Sequence, residues 1–412
     1  MNELILINIS GQDKPGLTSS ISRLLGDYDV DVLDIGQAVI HSYLTLGILI
    51  RVPPQAESSP LLKDVLFRAH ELGVTVRFTP VEGSSYEEWV THQERSLFIL
   101  TLLSRKIKAD HIAKVAEIIY NNGLNIDSIM RLSGRTPLDH QQDRTRACIE
   151  FSLGGEPRDT AGMRMELMNA AIDLDVDIAV QEDSIYRRNR KLIAFDMDST
   201  LIATEVIDQL AGLAGVGDEV TRITAEAMAG RLEFKQSLKK RVALLEGLPV
   251  EALHELSASV PLTEGAEDLF RILKKLSYKT AILSGGFTFV GRALQKRLGV
   301  DYVFCNELEI VSGKLTGKVV GPIVDGTRKA ELLAEIASKE GLSLQQAIAV
   351  GDGANDLLML SSAGLGIAFH AKTVVKESAG HAISTLGLDS ILYLMGIRDR
   401  HAYGEHTAST DN

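Results

Sequence analysis

The chain has 412 residues, 45% apolar and 24% charged, ordinary globular usage that excludes a disordered or collagen-like polypeptide. Its formal net charge of −12 repels nucleic acid and anionic membrane, so neither is an expected partner. Cys148 and Cys305 give neither metal spacing nor a disulfide framework, and no run reaches the ~20 apolar residues of a bilayer span. The opening MNELILINISGQDKPG lacks the basic segment of a secretory signal, so a soluble cytoplasmic protein is expected.

Residues 1–82 and 95–182 read as two copies of one pattern. Each opens with an apolar strand, Leu4-Ile5-Leu6-Ile7 and then Leu97-Phe98-Ile99-Leu100. A helical stretch follows in each, Leu17 to Leu25 and Ile112 to Ile119, then two β-rich runs, a second helix and a closing strand. The order βαββαβ predicts two small α+β, ferredoxin-like domains, and the offset of about ninety residues reads as domain duplication. Gly83-Ser84-Ser85-Tyr86-Glu87-Glu88 reads as the linker between them, and the polar, basic DSIYRRNRK of 183–191 as the next, solvated boundary.

From 190 to 400 the style is α/β. Three short apolar runs, Leu192-Ile193-Ala194-Phe195, Thr280-Ala281-Ile282-Leu283 and Ala347-Ile348-Ala349-Val350, fit strands buried on both faces of a parallel sheet. Each ends in a polar cluster: Asp196-Met197-Asp198-Ser199-Thr200, Ser284-Gly285-Gly286, and Gly351-Asp352-Gly353-Ala354-Asn355-Asp356. Ligands of open α/β sheets bind beyond the carboxyl ends of strands, so the clusters are expected to converge. Asp196, Asp198, Asp352 and Asp356 repel one another unless a cation or shared proton holds them, and oxygen donors in this number suit Mg²⁺. The same residues are also turn formers, which is the structural alternative for each cluster. Residues 401–412 read as a frayed tail.

With Lys329, these clusters match in order the four motifs of the haloacid dehalogenase superfamily, which the region 190–400 resembles. The resemblance implies a Rossmann-like core with a helical cap, here about 205–262. It implies Mg²⁺-dependent hydrolysis of O-phospho-L-serine through an aspartyl-phosphate, the last step of L-serine biosynthesis. Asp196 would be the nucleophile and Asp198 the general acid and base. The metal would be held by the carboxylates of Asp196 and Asp352 and the backbone carbonyl of Asp198. Ser284, Gly285 and Lys329 would bind phosphate oxygens, with Asn355 and Asp356 orienting Lys329 and the metal shell. Arg328 is the rival of Lys329, whose ordinary reading is a surface lysine at a helix start. Asp198 separates this chemistry from P-type ATPases, which resemble the superfamily but carry threonine at that place.

The cap is expected to choose the substrate. On a helix from Phe234 to Leu245, Leu238, Leu245 and Arg241 lie at about 40°, 20° and −20° from Phe234, so an arginine stands within an apolar face. It needs an anion, which is an internal acid, a snorkelling arrangement or a substrate carboxylate. The resemblance favours the carboxylate, gives Glu205 to the substrate ammonium, and leaves Met228 and Phe234 to exclude water. The alternative for Glu205 is a helix N-terminal charge.

The two N-terminal units resemble ACT domains, regulatory modules that bind small amino acids and pair between chains. Gly11-Gln12-Asp13-Lys14-Pro15-Gly16 matches the ligand loop of that family, with Asp13 and Gly16 as candidate contacts for L-serine. Its alternative is helix-start chemistry with Asp13 as cap. The second copy has Ser104-Arg105-Lys106-Ile107 there, which points to packing or dimerisation. A homodimer through ACT domains is expected. A broader phosphatase acting on phosphoproteins, or an amino-acid sensor with a vestigial catalytic half, are the competing functions.

Overall fold

The computed structural model describes residues 3–53, 58–92, 97–135, 145–228 and 231–403. The chain divides into two compact units at Arg95/Ser96. In the first, β1 (Glu3–Gln12), α1 (Leu17–Asp27), β2 (Asp31–Ile40), β3 (Tyr43–Val52), α2 (Ser58–Leu72) and β4 (Val74–Val81) form an antiparallel sheet of order β2-β3-β1-β4. Period-2 residues Ile5, Ile7 and Ile9 pack under Leu17, Ile21, Leu25, Leu61 and Val65 of the two helices. The expected linker at 83–88 is instead the start of a helix, α3 (Gly83–His92). Its Gly and Ser residues read as turn formers, yet they occupy a first helical turn, where small polar residues cost little.

The second unit opens with the same order: β5 (Leu97–Ser104), α4 (Ala109–Asn121), β6 (Asn125–Arg131), β7 (Ala147–Gly154), α5 (Thr160–Leu174) and β8 (Asp177–Glu182), in a sheet of order β6-β7-β5-β8. One sheet face lies under α4 and α5; the other sends Leu103, Cys148 and Ala179 into the core of the α/β region. The basic stretch after β8 is solvated at Arg188, Asn189 and Lys191 but not throughout. Arg187 and Arg190 are buried, Arg187 on Glu150 and Arg190 on Gln181 and the Gly364 carbonyl. These partners are remote in sequence, so the charge run could not reveal them.

The α/β region carries a seven-stranded sheet of order β12-β11-β10-β9-β13-β14-β15. β9 (Leu192–Phe195) is central and is followed by four helices, α6 (Val206–Ala214), α7 (Gly217–Met228), α8 (Phe234–Ala243) and α9 (Val250–Ser259). Then come α10 (Ala266–Lys275), β10 (Lys279–Phe287), α11 (Thr288–Leu298), the hairpin β11 (Tyr302–Val311) and β12 (Lys314–Val320), and α12 (Gly326–Lys339). β13 (Ala347–Gly351), α13 (Leu357–Ser362), β14 (Leu365–Phe369), α14 (Thr373–Ala379), β15 (Ala382–Ile383), α15 (Ile391–Leu394) and α16 (Asp399–Ala402) complete it. β9 runs parallel to both β10 and β13. Its alternate residues serve two cores: Ile193 and Phe195 face α10, α11 and the inserted helices, and Leu192 and Ala194 face α12 and α13. The expected fray begins late. His401 and Ala402 end α16, Tyr403 packs against Arg146 and Arg271, and 404–412 lie outside the described residues. No helix among the described residues is long and apolar enough to cross a membrane.

Candidate active site

The three strand ends meet. Asp196 N–H donates to Val350 O at 2.9 Å, which ties the end of β9 to β13, and the Asp196 side chain turns into the cleft. Its Oδ1 accepts from Met197 N–H at 2.7 Å. A wide turn follows, closed by Ile202 N–H to Met197 O at 3.1 Å, with Ser199 left-handed at φ 55°. Carboxylate oxygens of Asp196, Asp352 and Asp356 lie within 4.8 Å of one another. Thr200 Oγ1 donates to Asp352 Oδ1 at 3.0 Å.

Lys329, in the first turn of α12, has no exposed surface and enters this cluster. Its Nζ is 2.9 Å from Asp196 Oδ2 and 2.6 Å from Asp356 Oδ1. Burial works against its charge, but Asp196 and Asp356 outweigh burial, so its pKa is raised and it stays an ammonium. Arg328 instead lies on the outer face with Glu331 and Glu335, which removes it as a rival. Asp356 Oδ2 accepts from Gly353 N–H at 3.0 Å, so both its oxygens are engaged. Asp352 is only half-buried; its carboxyl is pushed up to about 7 by burial, with Asp196 and Asp356 adding to it. Three carboxylates against one ammonium leave surplus negative charge on oxygen donors alone, a set that fits a hard divalent cation. The expected ligand set named the Asp198 carbonyl; the carboxylate that clusters with Asp196 and Asp352 is that of Asp356.

Asp198 stands two residues after Asp196 in the same turn. Its Oδ1 accepts from Val206 N–H at 3.3 Å, and its carboxyl is raised by burial, with Glu205 and Asp196 adding to the rise. Ser284, Gly285 and Gly286 lie in the last part of β10, where its register on β11 is interrupted between Leu283 and Phe287, and Gly286 packs against Asp198. A Cβ on Gly286 would stand 2.6 Å from Asp198 Oδ2, and one on Gly285 would stand 2.8 Å from Phe234 Cζ, so both positions need glycine. Ser284 Oγ accepts from Gly286 N–H at 3.0 Å, a local turn bond that fixes the hydroxyl at the cleft. Asn355 is half-buried beside Gly326 at the start of α12.

Glu205 is the N-cap residue of α6 but makes no side-chain cap bond; it accepts from Ser199 Oγ at 2.8 Å. Its carboxyl is raised by burial, with Arg241 opposing. Arg241 comes from α8, whose buried face holds Ser237, Leu238 and Val242. Its Nη1 reaches Thr224 Oγ1 at 3.4 Å, and its buried Nε has no partner among the described residues. Of the anticipated cleft residues, Phe234 and Arg241 thus come from α8 and Glu205 from the start of α6; the Met228 side chain lies outside the described residues.

Sequence reasoning missed three residues. Asn306 is fully buried and bridges Gly285 O, at 2.7 Å, and Val324 N–H, at 2.8 Å. A polar residue inside Tyr302-Val303-Phe304-Cys305-Asn306 was its only signal. Asp325 caps α12 through Arg328 N–H and pairs with Lys235 of α8 at 2.9 Å. In the first unit, α1 is capped by Gly16 at φ 88° with no side-chain bond, so Asp13 is not its cap and stands exposed. Both cysteines are free, and burial pushes each thiol up, leaving them inert.

A carboxylate at the end of a central strand, a buried lysine and a metal-competent acid cluster are the groups that phosphoryl transfer can use. The ACT domain family matches residues 3–79, and the haloacid dehalogenase-like hydrolase family matches 190–364. The phosphoserine phosphatase of Streptomyces coelicolor is 41% identical over 407 residues, 99% of this chain and 95% of that one. Phosphoserine phosphatase SerB2 of Mycobacterium tuberculosis is 38% identical over 394 residues, 95% of this chain and 93% of that one. The solved structure of a probable phosphoserine phosphatase from Vibrio cholerae is similar at TM-score 0.58 and 31% identity, covering 78% of this chain and 91% of its own. Fold and site therefore define a haloacid dehalogenase-like hydrolase with an ACT module. Within that class, the chain belongs to the phosphoserine phosphatase family.

Proposed function

We propose that the chain hydrolyses O-phospho-L-serine to L-serine and phosphate, the closing step of serine biosynthesis in the cytoplasm. The observation that carries this reading is Asp196, held on Lys329 beside two further carboxylates, with Asp198 two residues on in the same turn. Mg²⁺ held by Asp196, Asp352 and the Asp198 carbonyl would offset the repulsion between carboxylate and phosphate dianion and polarise the phosphoryl oxygens. Asp356 then serves as the orienting carboxylate, since it is fully buried with both oxygens engaged.

An Asp196 oxygen attacks phosphorus, and the bond from phosphorus to the serine oxygen breaks. Asp198 gives its proton to that leaving oxygen. Water then attacks the phosphorus of the aspartyl-phosphate and passes its proton to Asp198; the bond from phosphorus to Asp196 breaks and phosphate departs. Lys329, Ser284, the Gly285 N–H and Asn355 bind the phosphoryl oxygens. Glu205 takes the substrate ammonium and Arg241 the carboxylate, supported by the unpartnered Nε of Arg241 and its charge coupling to Glu205. Phe234 and Met228 shut out water.

The ACT unit binds L-serine at Asp13 and Gly16, and a homodimer forms through these units. The exposed Asp13 beside the start of α1, whose Gly16 cap gives no side-chain bond, supports that loop as the ligand site. The test of the catalytic reading is phosphate release from O-phospho-L-serine by wild type and Asp196→Asn, with Mg²⁺ and with EDTA. Release only by wild type with Mg²⁺ is expected, and release by Asp196→Asn removes the reading. Calorimetry of L-serine against Asp13→Ala tests the regulatory site.

A further inference from the structure

The connection from β5 to α4 stands where the first unit carries Gly11–Gly16. Arg105 in this connection reaches out of its own module. Its Nη1 and Nη2 donate to Oε1 and Oε2 of Glu264, both at 2.8 Å, across 159 residues of sequence. A fork on a fork fixes the plane of the carboxylate as well as its distance. The two side chains are 37% and 35% exposed, so the pair is half desolvated and firmer than a surface pair.

Glu264 directly follows the segment by which the chain leaves the inserted helices. That segment pairs with the one by which the chain enters them. Ala203 N–H donates to Pro261 O at 3.1 Å and Thr263 N–H to Leu201 O at 3.0 Å, around an Ile202–Leu262 bridge. The entering segment has Asp198 behind it and Glu205 ahead of it. The Glu264 carbonyl also accepts from Leu388 N–H at 2.8 Å, and Arg146, at the start of β7, pairs with neighbouring Asp389. The two crossings of the chain are thus stitched together, and Arg105 anchors one end of the stitch.

We propose that Arg105 is a positioning residue for the substrate site. It touches no substrate. Through Glu264 it fixes the paired segments 201–205 and 260–264, and so sets where Glu205 stands relative to Asp196. The second module has in this way exchanged a ligand loop for a clamp on the catalytic region. The proposal rests on the reading of Glu205 as the ammonium contact.

The test uses the full-length chain and the variants Arg105→Met, Arg105→Lys, Glu264→Gln and the reversed pair R105E/E264R. Arg105→Met and Glu264→Gln are each expected to raise KM for O-phospho-L-serine about tenfold, with kcat changed less than about threefold. kcat/KM for phosphoglycolate, which lacks the ammonium, is expected to change less than about threefold. Arg105→Lys falls between, and the reversed pair recovers most of the loss. Hydrogen exchange at the amides of Ala203 and Thr263 speeds up in Arg105→Met. A lower melting temperature with KM unchanged, or equal losses on both esters, overturns the proposal. If wild type leaves phosphoserine intact, the functional reading fails on its own; unchanged exchange at Ala203 and Thr263 would still overturn the clamp, and faster exchange would support it.

Discussion

Lys329 Nζ lies 2.9 Å from Asp196 Oδ2, in a site where the lysine has no contact with solvent. The same ammonium holds Asp356 at 2.6 Å, so one cation balances two buried acids. It stands ready for phosphate oxygens as negative charge moves onto them.

Lys329→Met is expected to cut phosphate release by about 10²–10³-fold, the usual cost of losing one charge-stabilising donor. It is also expected to cost about 3–5 kcal/mol in urea unfolding, because two buried carboxylates lose their partner. The double variant K329M/D356N recovers part of the stability and none of the rate. Normal activity in Lys329→Met would remove the lysine from the site chemistry.

Arg241→Gln separates recognition from chemistry. Among the described residues the guanidinium has a 3.4 Å hydrogen bond to Thr224 and an unpartnered Nε. KM for O-phospho-L-serine is expected to rise by about 10²-fold, and KM for phosphoethanolamine, which lacks the carboxylate, by less than about threefold. Equal losses on both substrates would assign Arg241 to packing.

Lys235 and Asp325 join α8 to the start of α12 at 2.9 Å, one residue from Phe234, which covers Gly285. The lysine is 57% exposed, so the pair is weak and weakens further with salt. Lys235→Ala should raise KM by no more than about fivefold at low salt, and the two proteins should converge near 1 M salt. A difference that persists at high salt would mean that the lysine acts through packing.

The site strands were legible in the sequence because burial on both faces leaves a continuous apolar run, as in Leu192-Ile193-Ala194-Phe195, and the polar cluster after it stands out. Resemblance then supplied the roles. What stayed hidden was made by partners remote in the chain. Arg187 and Arg190 look like a solvated charge run until Glu150 and the Gly364 carbonyl arrive beside them. Asn306 carries no motif, and its two bonds go to segments 18 and 21 residues away. The helix at Gly83–His92 was missed because Gly and Ser serve both turns and first helical turns.

Stability should also depend on pH through His381. Its Nε2–H donates to Val180 O at 3.0 Å, and burial, with Arg164 and Arg190 nearby, pulls the ring down to about 4. An unfolded histidine titrates near 6.5. Between these values the unfolded chain binds a proton that the folded chain refuses. Stability therefore falls as pH drops from about 6.5 towards 4 and is flat, for this group, above it. Urea midpoints of wild type and His381→Gln should have different pH slopes in that window and parallel ones above it. Parallel slopes throughout would contradict the shift.

The central claim is that the Asp196 carboxylate becomes covalently phosphorylated. Quench turnover of ³²P-labelled phosphoserine in acid, digest the protein and locate the label. An acyl phosphate on the peptide carrying Asp196, absent in Asp196→Asn, is the predicted result. Label on another residue, or none bound while product accumulates, would contradict the account.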